Sequence, residues 1–294
     1  MPTPQDLAGK IYVVTGANSG IGYEAALDFA SRGASLALVC RSEQRGRKAC
    51  DAIIEITGNT KVELYLADFC VLASVASLAA ELLRDYPHID VLCNNAGSVS
   101  ATREITKEGF ETTFAANHLS GFLLSQLLLP LLETAGAKGE ARVVFTSSLG
   151  HKNSPLDFDD FNLEQGYSGL KAYGRSKLMN LLTAREFHRR YKNKNIIASS
   201  FHPGAVRTSI WGKGGVVGKL LGVLAYPFMV NIKEGTDTFI WLASSNEEAS
   251  IQADGNYFYK RRQPSIAAFA TDEAAEKLWK ASMELIEPYL TATD

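Results

Sequence analysis

Lys10-Ile11-Tyr12-Val13-Val14-Thr15-Gly16-Ala17-Asn18-Ser19-Gly20-Ile21-Gly22 decides the architecture of this chain. Its first part reads as a short buried strand, a β-rich apolar run that ends at a turn signal. Beyond the glycines, Tyr23 to Arg32 reads as a helix with Ala25, Ala26, Phe29 and Ala30 on its packed side. Strand, glycine turn and helix in that order form a context able to cradle a phosphate. Gly16 permits a tight turn without a Cβ clash. Gly20 and Gly22 let the backbone approach a pyrophosphate and let the helix pack on the strand. The helix N-terminus supplies unpaired N–H groups and partial positive charge. Three residues separate the first two glycines, where the usual dinucleotide fingerprint has one. A glycine-rich turn without a ligand is the competing reading.

Outward from this unit, apolar strands alternate with amphipathic helices, which indicates a parallel sheet covered on both faces. The pattern places strands near 10–15, 35–40, 61–67, 89–93, 142–147, 195–201 and 255–259. It places helices near 74–86, 170–191, 233–243 and 271–290, with a long one near 107–133. The expectation is a Rossmann-type doubly wound α/β fold of about seven strands. No repeat, low-complexity run or linker interrupts it, so residues 1–294 read as one domain.

Chemistry concentrates in three later motifs. Tyr173 and Lys177 lie four residues apart, on one face of a predicted helix. A nearby cation favours the phenolate and is expected to lower the phenol's pKa, giving a general acid/base near neutral pH. Val91-Leu92-Cys93-Asn94-Asn95-Ala96-Gly97 is a strand that ends in a polar, glycine-containing turn. Its Asn residues can serve a cofactor, the neighbouring strand, or only their own Asx turn. Arg142-Val143-Val144-Phe145-Thr146-Ser147-Ser148 again leaves hydroxyls at a strand exit. One of them could stabilise a developing oxyanion, or both could simply form a turn.

Together these motifs resemble the short-chain dehydrogenase/reductase family. The matching residues are Thr15-Gly16-x-x-x-Gly20-Ile21-Gly22, Asn94-Asn95-Ala96-Gly97, Asn117, Ser148, Tyr173-x-x-x-Lys177 and His202-Pro203-Gly204-x-Val206-x-Thr208. The segment Phe158-x-x-Phe161-Asn162-Leu163 and the tail from Asp254-Gly255-x-Tyr257-Phe258 to Leu278-Trp279 are similar to the retinol-dehydrogenase-like branch. That branch also holds the WW-domain oxidoreductases and is related to protochlorophyllide reductases. The resemblance implies that Asn117, Ser148, Tyr173 and Lys177 are catalytic. Asn117 would prop its helix open and hold a water that feeds a proton relay through the lysine. The resemblance also implies cofactor contacts from Gly16, Asn18, Ser19, Gly20, Ile21 and Gly22 in the first loop. Further contacts would come from Asp68, Phe69, Asn94, Ala96, Gly97, Tyr173, Lys177, Pro203, Gly204, Val206 and Thr208.

Cofactor choice can be read from Arg41-Ser42, directly after the second strand. An acid there would accept from the ribose 2′-OH of NAD, whereas Arg41 can pair with the 2′-phosphate of NADP, with Ser42 and Arg45 assisting. NADP(H) is therefore expected, against the alternative of a surface Arg held in an ion pair. A loop at 209–232, rich in Gly, Leu, Val and aromatics, reads as a lid over a hydrophobic substrate such as a retinoid, steroid, polyketide or aromatic carbonyl. It also reads as an ordinary amphipathic helix, or as a face touching a membrane surface or a second subunit, leaving monomer or homodimer open.

The 294 residues, 46% of them hydrophobic, suffice for one large core. A net charge of −2 gives no footprint for nucleic acid. Cys40, Cys50, Cys70 and Cys93 lack metal or redox spacing, so no metal site is expected and free thiols fit a reducing, cytoplasmic setting. The start of the chain reads as neither signal peptide nor anchor, and no apolar stretch is long enough to span a bilayer. His151 and His202 flank the expected site, His202 as a support for the Pro203-Gly204 turn. The functional expectation is an NADP(H)-dependent carbonyl or alcohol oxidoreductase. The rivals are a non-catalytic NADP(H)-binding regulatory or scaffold protein, and an epimerase or dehydratase. The last would show Gly-x-x-Gly-x-x-Gly spacing in the phosphate loop, where this chain has Gly16-x-x-x-Gly20-x-Gly22, and a larger carboxyl-terminal domain, neither of which fits.

Overall fold

The computed structural model describes residues 5–204 and 231–290. Val206, Thr208 and the expected lid up to 230 lie outside the described residues. Seven strands form one parallel sheet in the order β3-β2-β1-β4-β5-β6-β7. They are β1 (Ile11–Thr15), β2 (Ser35–Cys40), β3 (Val62–Leu66), β4 (Val91–Asn94), β5 (Ala141–Thr146), β6 (Ile196–Phe201) and β7 (Tyr257–Phe258). The chain starts at the centre, winds outward to β3, then returns past β1 to β4. That reversal leaves a crevice outside the carboxyl ends of the strands.

Period-two burial divides the strand side chains between two cores. On one face Tyr12, Val14, Leu36, Leu38, Cys93 and Phe201 pack under α1 (Gly20–Ser31), α2 (Glu43–Thr57) and α8 (Ile232–Ser244). On the other, Val13, Val39, Leu92, Val143, Phe145 and Tyr257 pack under α3 (Leu72–Asp85), α5 (Ser120–Leu127), α7 (Gly169–Tyr191) and α10 (Asp272–Leu290). Trp279 of α10 closes this second layer, 4.9 Å from the Phe122 ring and 5.9 Å from Phe187. The cysteines are free thiols, with Cys40, Cys50 and Cys93 buried and Cys70 half-buried.

The predicted helix near 107–133 is not continuous, and the interruption is informative. The helix starts only at Thr112, where the Glu111 carboxylate accepts the Thr113 and Phe114 N–H groups at 2.9 and 2.8 Å. After α4 (Thr112–Phe114) the backbone widens into a π turn over Ala115–Leu119. A bend of 58° then separates Leu127 from α6 (Leu129–Lys138). Pro130 in the first turn of α6 lacks an N–H and cannot continue the preceding helix. Among the described residues, no single helix is long and apolar enough to cross a membrane.

Candidate active site

Because the strands run parallel, the exits of β1 to β6 line one edge of the sheet. On the left of the crevice the glycine turn is held against the β4 exit. Thr15 Oγ1 accepts from the Asn95 and Ala96 N–H groups, each at 2.9 Å, and donates to the Cys93 carbonyl at 3.1 Å. Asn95 Nδ2 donates to the Thr15 carbonyl at 2.9 Å. These contacts leave no room at the third glycine. A Cβ on Gly22 would stand 2.5 Å from Asn95 Nδ2 and 2.6 Å from the Gly16 carbonyl. Gly16 and Gly20 adopt φ of 67° and 60°, the left-handed region that disfavours other residues.

This loop opens onto the N-terminus of α1. The Ser19 side chain does not cap it, and no acidic residue lies in its first turn. In α2, by contrast, the Ser42 side chain accepts from the Arg45 N–H and Glu43 lies in the first turn. The N-terminal N–H groups of α1 are therefore free of side-chain caps and suited to an anion. Arg41 is exposed at the β2 exit, and neither Arg41 nor Arg45 pairs with a carboxylate among the described residues. Asp68 sits at the β3 exit, where its carboxylate accepts the Cys70 N–H at 2.9 Å. The Phe69 carbonyl is fixed by Ser120 at 2.7 Å. A cradle that excludes side chains and an uncapped helix end fit a nicotinamide dinucleotide.

The Asn94 side chain turns away from the crevice and donates to Ser125 Oγ at 2.8 Å in the core, so a ligand contact at this position would come from its backbone. On the right of the crevice, His202 Nδ1 accepts the Gly204 N–H at 2.9 Å and supports the Pro203-Gly204 turn as expected. Burial drives the His202 pKa down to about 4, so this ring is neutral near pH 7 and can act as an acceptor.

Between these halves lie Asn117, Ser148, Tyr173 and Lys177, the four residues expected to be catalytic. Ser148 leaves β5 and caps a short 3₁₀ turn, Leu149–Asn153. Tyr173 and Lys177 project from α7. Gly174 lets α7 approach this turn, since a Cβ there would collide with Ser154 Oγ. Lys177 is buried and donates to the Thr146 carbonyl at 3.0 Å, an acceptor it shares with Asn180. Ser147 Oγ donates to the Lys177 carbonyl at 2.7 Å. Asn117 lies in the π turn. It accepts the Ser98 N–H at 2.7 Å and donates to the Ser98 carbonyl at 2.9 Å and to Ser176 Oγ at 3.0 Å. A Cβ on Gly97 would lie 3.2 Å from Asn117 Oδ1 and 3.3 Å from Lys177 Nζ. Gly97, Asn117 and Lys177 thus form one cluster.

The charge logic differs from the expectation of a phenol made more acidic by its neighbour. Burial pushes the Tyr173 pKa above its usual 10, and the Ser148 hydroxyl beside it offsets only part of that rise. One flank of Tyr173 stays open to solvent, but the surrounding protein is dense. Burial also lowers Lys177 to about 8. Its ammonium lies 5.4 Å from the centre of the Tyr173 ring and is directed to a carbonyl. Loss of water shifts each group towards its neutral form, although Lys177, at about 8, still carries its proton at pH 7.

Sequence reading gave no role to Ser176 or Asn180, left Asn95 and Ser147 between a site role and a turn, and placed Thr15 only as part of the glycine motif. Asn180 had a usable signal, since it lies three residues beyond Lys177 on the same helix face. The others are recognised only through partners far away in the chain.

A sequence profile described as short chain dehydrogenase matches residues 10–214. Over 289 residues the chain is 38% identical to a Streptomyces protein of strain C5, provisionally assigned as daunorubicin C-13 ketoreductase DnrU, covering 96% of each. It is 34% identical to human retinol dehydrogenase 14 over 300 residues, covering 96% of this chain and 88% of that one. A crystal structure of an uncharacterized protein from Mycobacterium paratuberculosis superposes with a TM-score of 0.76 at 27% identity, covering 97% and 96%. A Shigella flexneri short chain dehydrogenase complexed with NADP superposes with a TM-score of 0.65 at 25% identity, covering 88% and 100%. The chain belongs to the short-chain dehydrogenase family of oxidoreductases. Within it, the chain falls in the retinol-dehydrogenase-like branch.

Proposed function

We propose that the chain is an NADP(H)-dependent oxidoreductase that interconverts a carbonyl and an alcohol on a hydrophobic substrate. The observation that carries this reading is the cluster of buried Asn117 and Lys177 with half-buried Tyr173 and Ser148 at the strand exits, beside a glycine cradle suited to a dinucleotide. A reduced nicotinamide, when bound, would supply the hydride.

In reduction, the substrate oxygen sits between the hydroxyls of Ser148 and Tyr173. Ser148 stabilises the negative charge that grows there. Tyr173, neutral at physiological pH because of its raised pKa, donates the proton as general acid. The Lys177 ammonium stabilises the tyrosinate left behind, and its lowered pKa suits it to pass a proton inward from the Asn117 side. Asn117 fixes the π turn and holds the Ser98 strap over the lysine.

Arg41 would pair with the 2′-phosphate and thereby favour NADP over NAD. The NADP complex of the Shigella relative supports that preference. Two observations support a hydrophobic substrate. Leu149, next to Ser148, and Leu170, one turn before Tyr173, are 55% and 65% exposed. Relatives are named for retinol and for the C-13 keto group of daunorubicin. The free thiols fit a reducing compartment such as the cytoplasm.

The test is NADPH consumption across a panel of lipophilic ketones and aldehydes, run on the parent enzyme and on Tyr173→Phe. Turnover that drops about 10²- to 10⁴-fold in the variant is expected. Undiminished turnover would remove Tyr173 as the acid. Binding of NADPH with no turnover on any substrate would favour the non-catalytic reading.

A further inference from the structure

The carbonyl of Ser148 is held twice by one residue. His151 N–H donates to it at 3.2 Å, and His151 Nδ1 lies 2.7 Å from the same oxygen. A carbonyl can only accept, so Nδ1 carries the hydrogen and Nε2 is bare. The ring is completely buried. It stands edge-on to Tyr257 of β7, with centroids 4.8 Å apart and planes at 71°. Tyr257 lies parallel to His202 at 6.2 Å, and His202 stacks on Tyr259 at 4.3 Å. These four rings form a wall that runs from the Ser148 turn to the Pro203-Gly204 turn. Among the described residues, His151 Nε2 and the Tyr257 hydroxyl have no hydrogen-bond partner. Leaving a buried ring nitrogen and hydroxyl unpaired is costly, so the ring is not placed here for packing alone.

Building on the carbonyl-reductase reading above, we propose that His151 is a positioning residue that acts through Ser148. Its ring N–H and backbone N–H together fix the Ser148 peptide, and the aromatic wall fixes the ring. The hydroxyl of Ser148 is thereby kept in register with Tyr173 and with the turn on the cofactor side. The His151 ring is fully buried and acts through the Ser148 peptide. Its effect falls on the rate of the chemical step and not on dinucleotide affinity. A displacement of about 1 Å in such a group can cost on the order of 10²-fold.

The experiment uses the full-length enzyme with NADPH and the best ketone from the panel. His151→Phe keeps the ring against Tyr257 and removes the donor. His151→Asn keeps a short side-chain donor. The expected result is a drop in kcat of about 10- to 100-fold for His151→Phe, with the NADPH dissociation constant and the melting temperature close to the parent. His151→Asn should recover most of kcat. Combining His151→Phe with Ser148→Ala should be no slower than Ser148→Ala alone, because both act through one hydroxyl. A folded His151→Phe with parental kcat would overturn the proposal. So would a double variant that multiplies the two losses. If His151→Phe does not fold, an Asn variant that folds, binds NADPH and loses kcat to the extent of Ser148→Ala overturns it; parental kcat in that variant supports it. Absence of NADPH-linked turnover in the parent enzyme would instead defeat the functional reading, and the positioning role with it.

Discussion

The two sides of the crevice solve different physical problems. The β1–β3 side is made largely of backbone: positive φ at Gly16 and Gly20, a glycine pressed on Asn95, and an uncapped helix end. The β4–β6 side is made of side chains whose partners are remote in sequence. Asn117 reaches Ser98 and Ser176, Lys177 reaches Thr146, and Ser147 reaches back to Lys177. The first side admits a ligand by leaving space and N–H groups open. The second removes water from ionisable groups and shifts their proton affinities. Binding and chemistry are therefore separable, and substitutions on each side should fail in different ways.

The largest expected effect lies on the chemical side. Tyr173→Phe should remove about 10² to 10⁴ of kcat while NADPH still binds, as fluorescence titration would show. A comparable loss of affinity would mean that the two sides are not separable. Next comes Gly22→Ala on the binding side. Overpacking against Asn95 and the Gly16 carbonyl costs about 1–3 kcal/mol. If that cost falls on the bound loop, NADPH affinity weakens by about 5- to 150-fold, since each 1.4 kcal/mol is tenfold. An unchanged dissociation constant would show that the loop relaxes freely.

Arg41→Asp should change affinity without touching kcat at saturation. Because the side chain is exposed, the ratio of kcat/KM for NADPH over NADH should fall by roughly tenfold or more, through loss of the pair and repulsion of the 2′-phosphate. No change in that ratio would sink the assignment of NADP. The smallest effect is the pH dependence of reduction. Tyr173 stays protonated well beyond neutral pH because its pKa is raised. The Lys177 ammonium loses its proton as pH passes about 8. Reductive kcat should hold steady from pH 6 to 7 and decline a few-fold through about 8, as the charge that stabilises the tyrosinate disappears. A rate that rises across that interval would assign the wrong protonation state to the pair.

The strand positions and the parallel arrangement were readable along the chain because burial on both faces makes each strand a continuous apolar run, as in Ser35–Cys40. The glycine loop was readable because its function is a backbone conformation. The helix near 107–133 was not, since a π turn and a proline bend leave no interruption in the apolar pattern. Asn94 shows the limit on the site: adjacent in sequence to Asn95, it points into the core, because successive strand side chains face opposite ways. The sign of the Tyr173 shift was also missed. Spacing alone brings a cation near, but burial decides which charge state is favoured.

Sequence by itself determined the order of the strands, the glycine turn that follows β1 and which residues are proposed to react. These depend on local pattern and on glycine's freedom at φ > 0. Tertiary structure alone decided which hydroxyl and amide partners surround the lysine, how far each ionisable group is stripped of water, and that His151 grips the Ser148 peptide. Those are properties of distance between elements far apart in the chain, and only packing sets them.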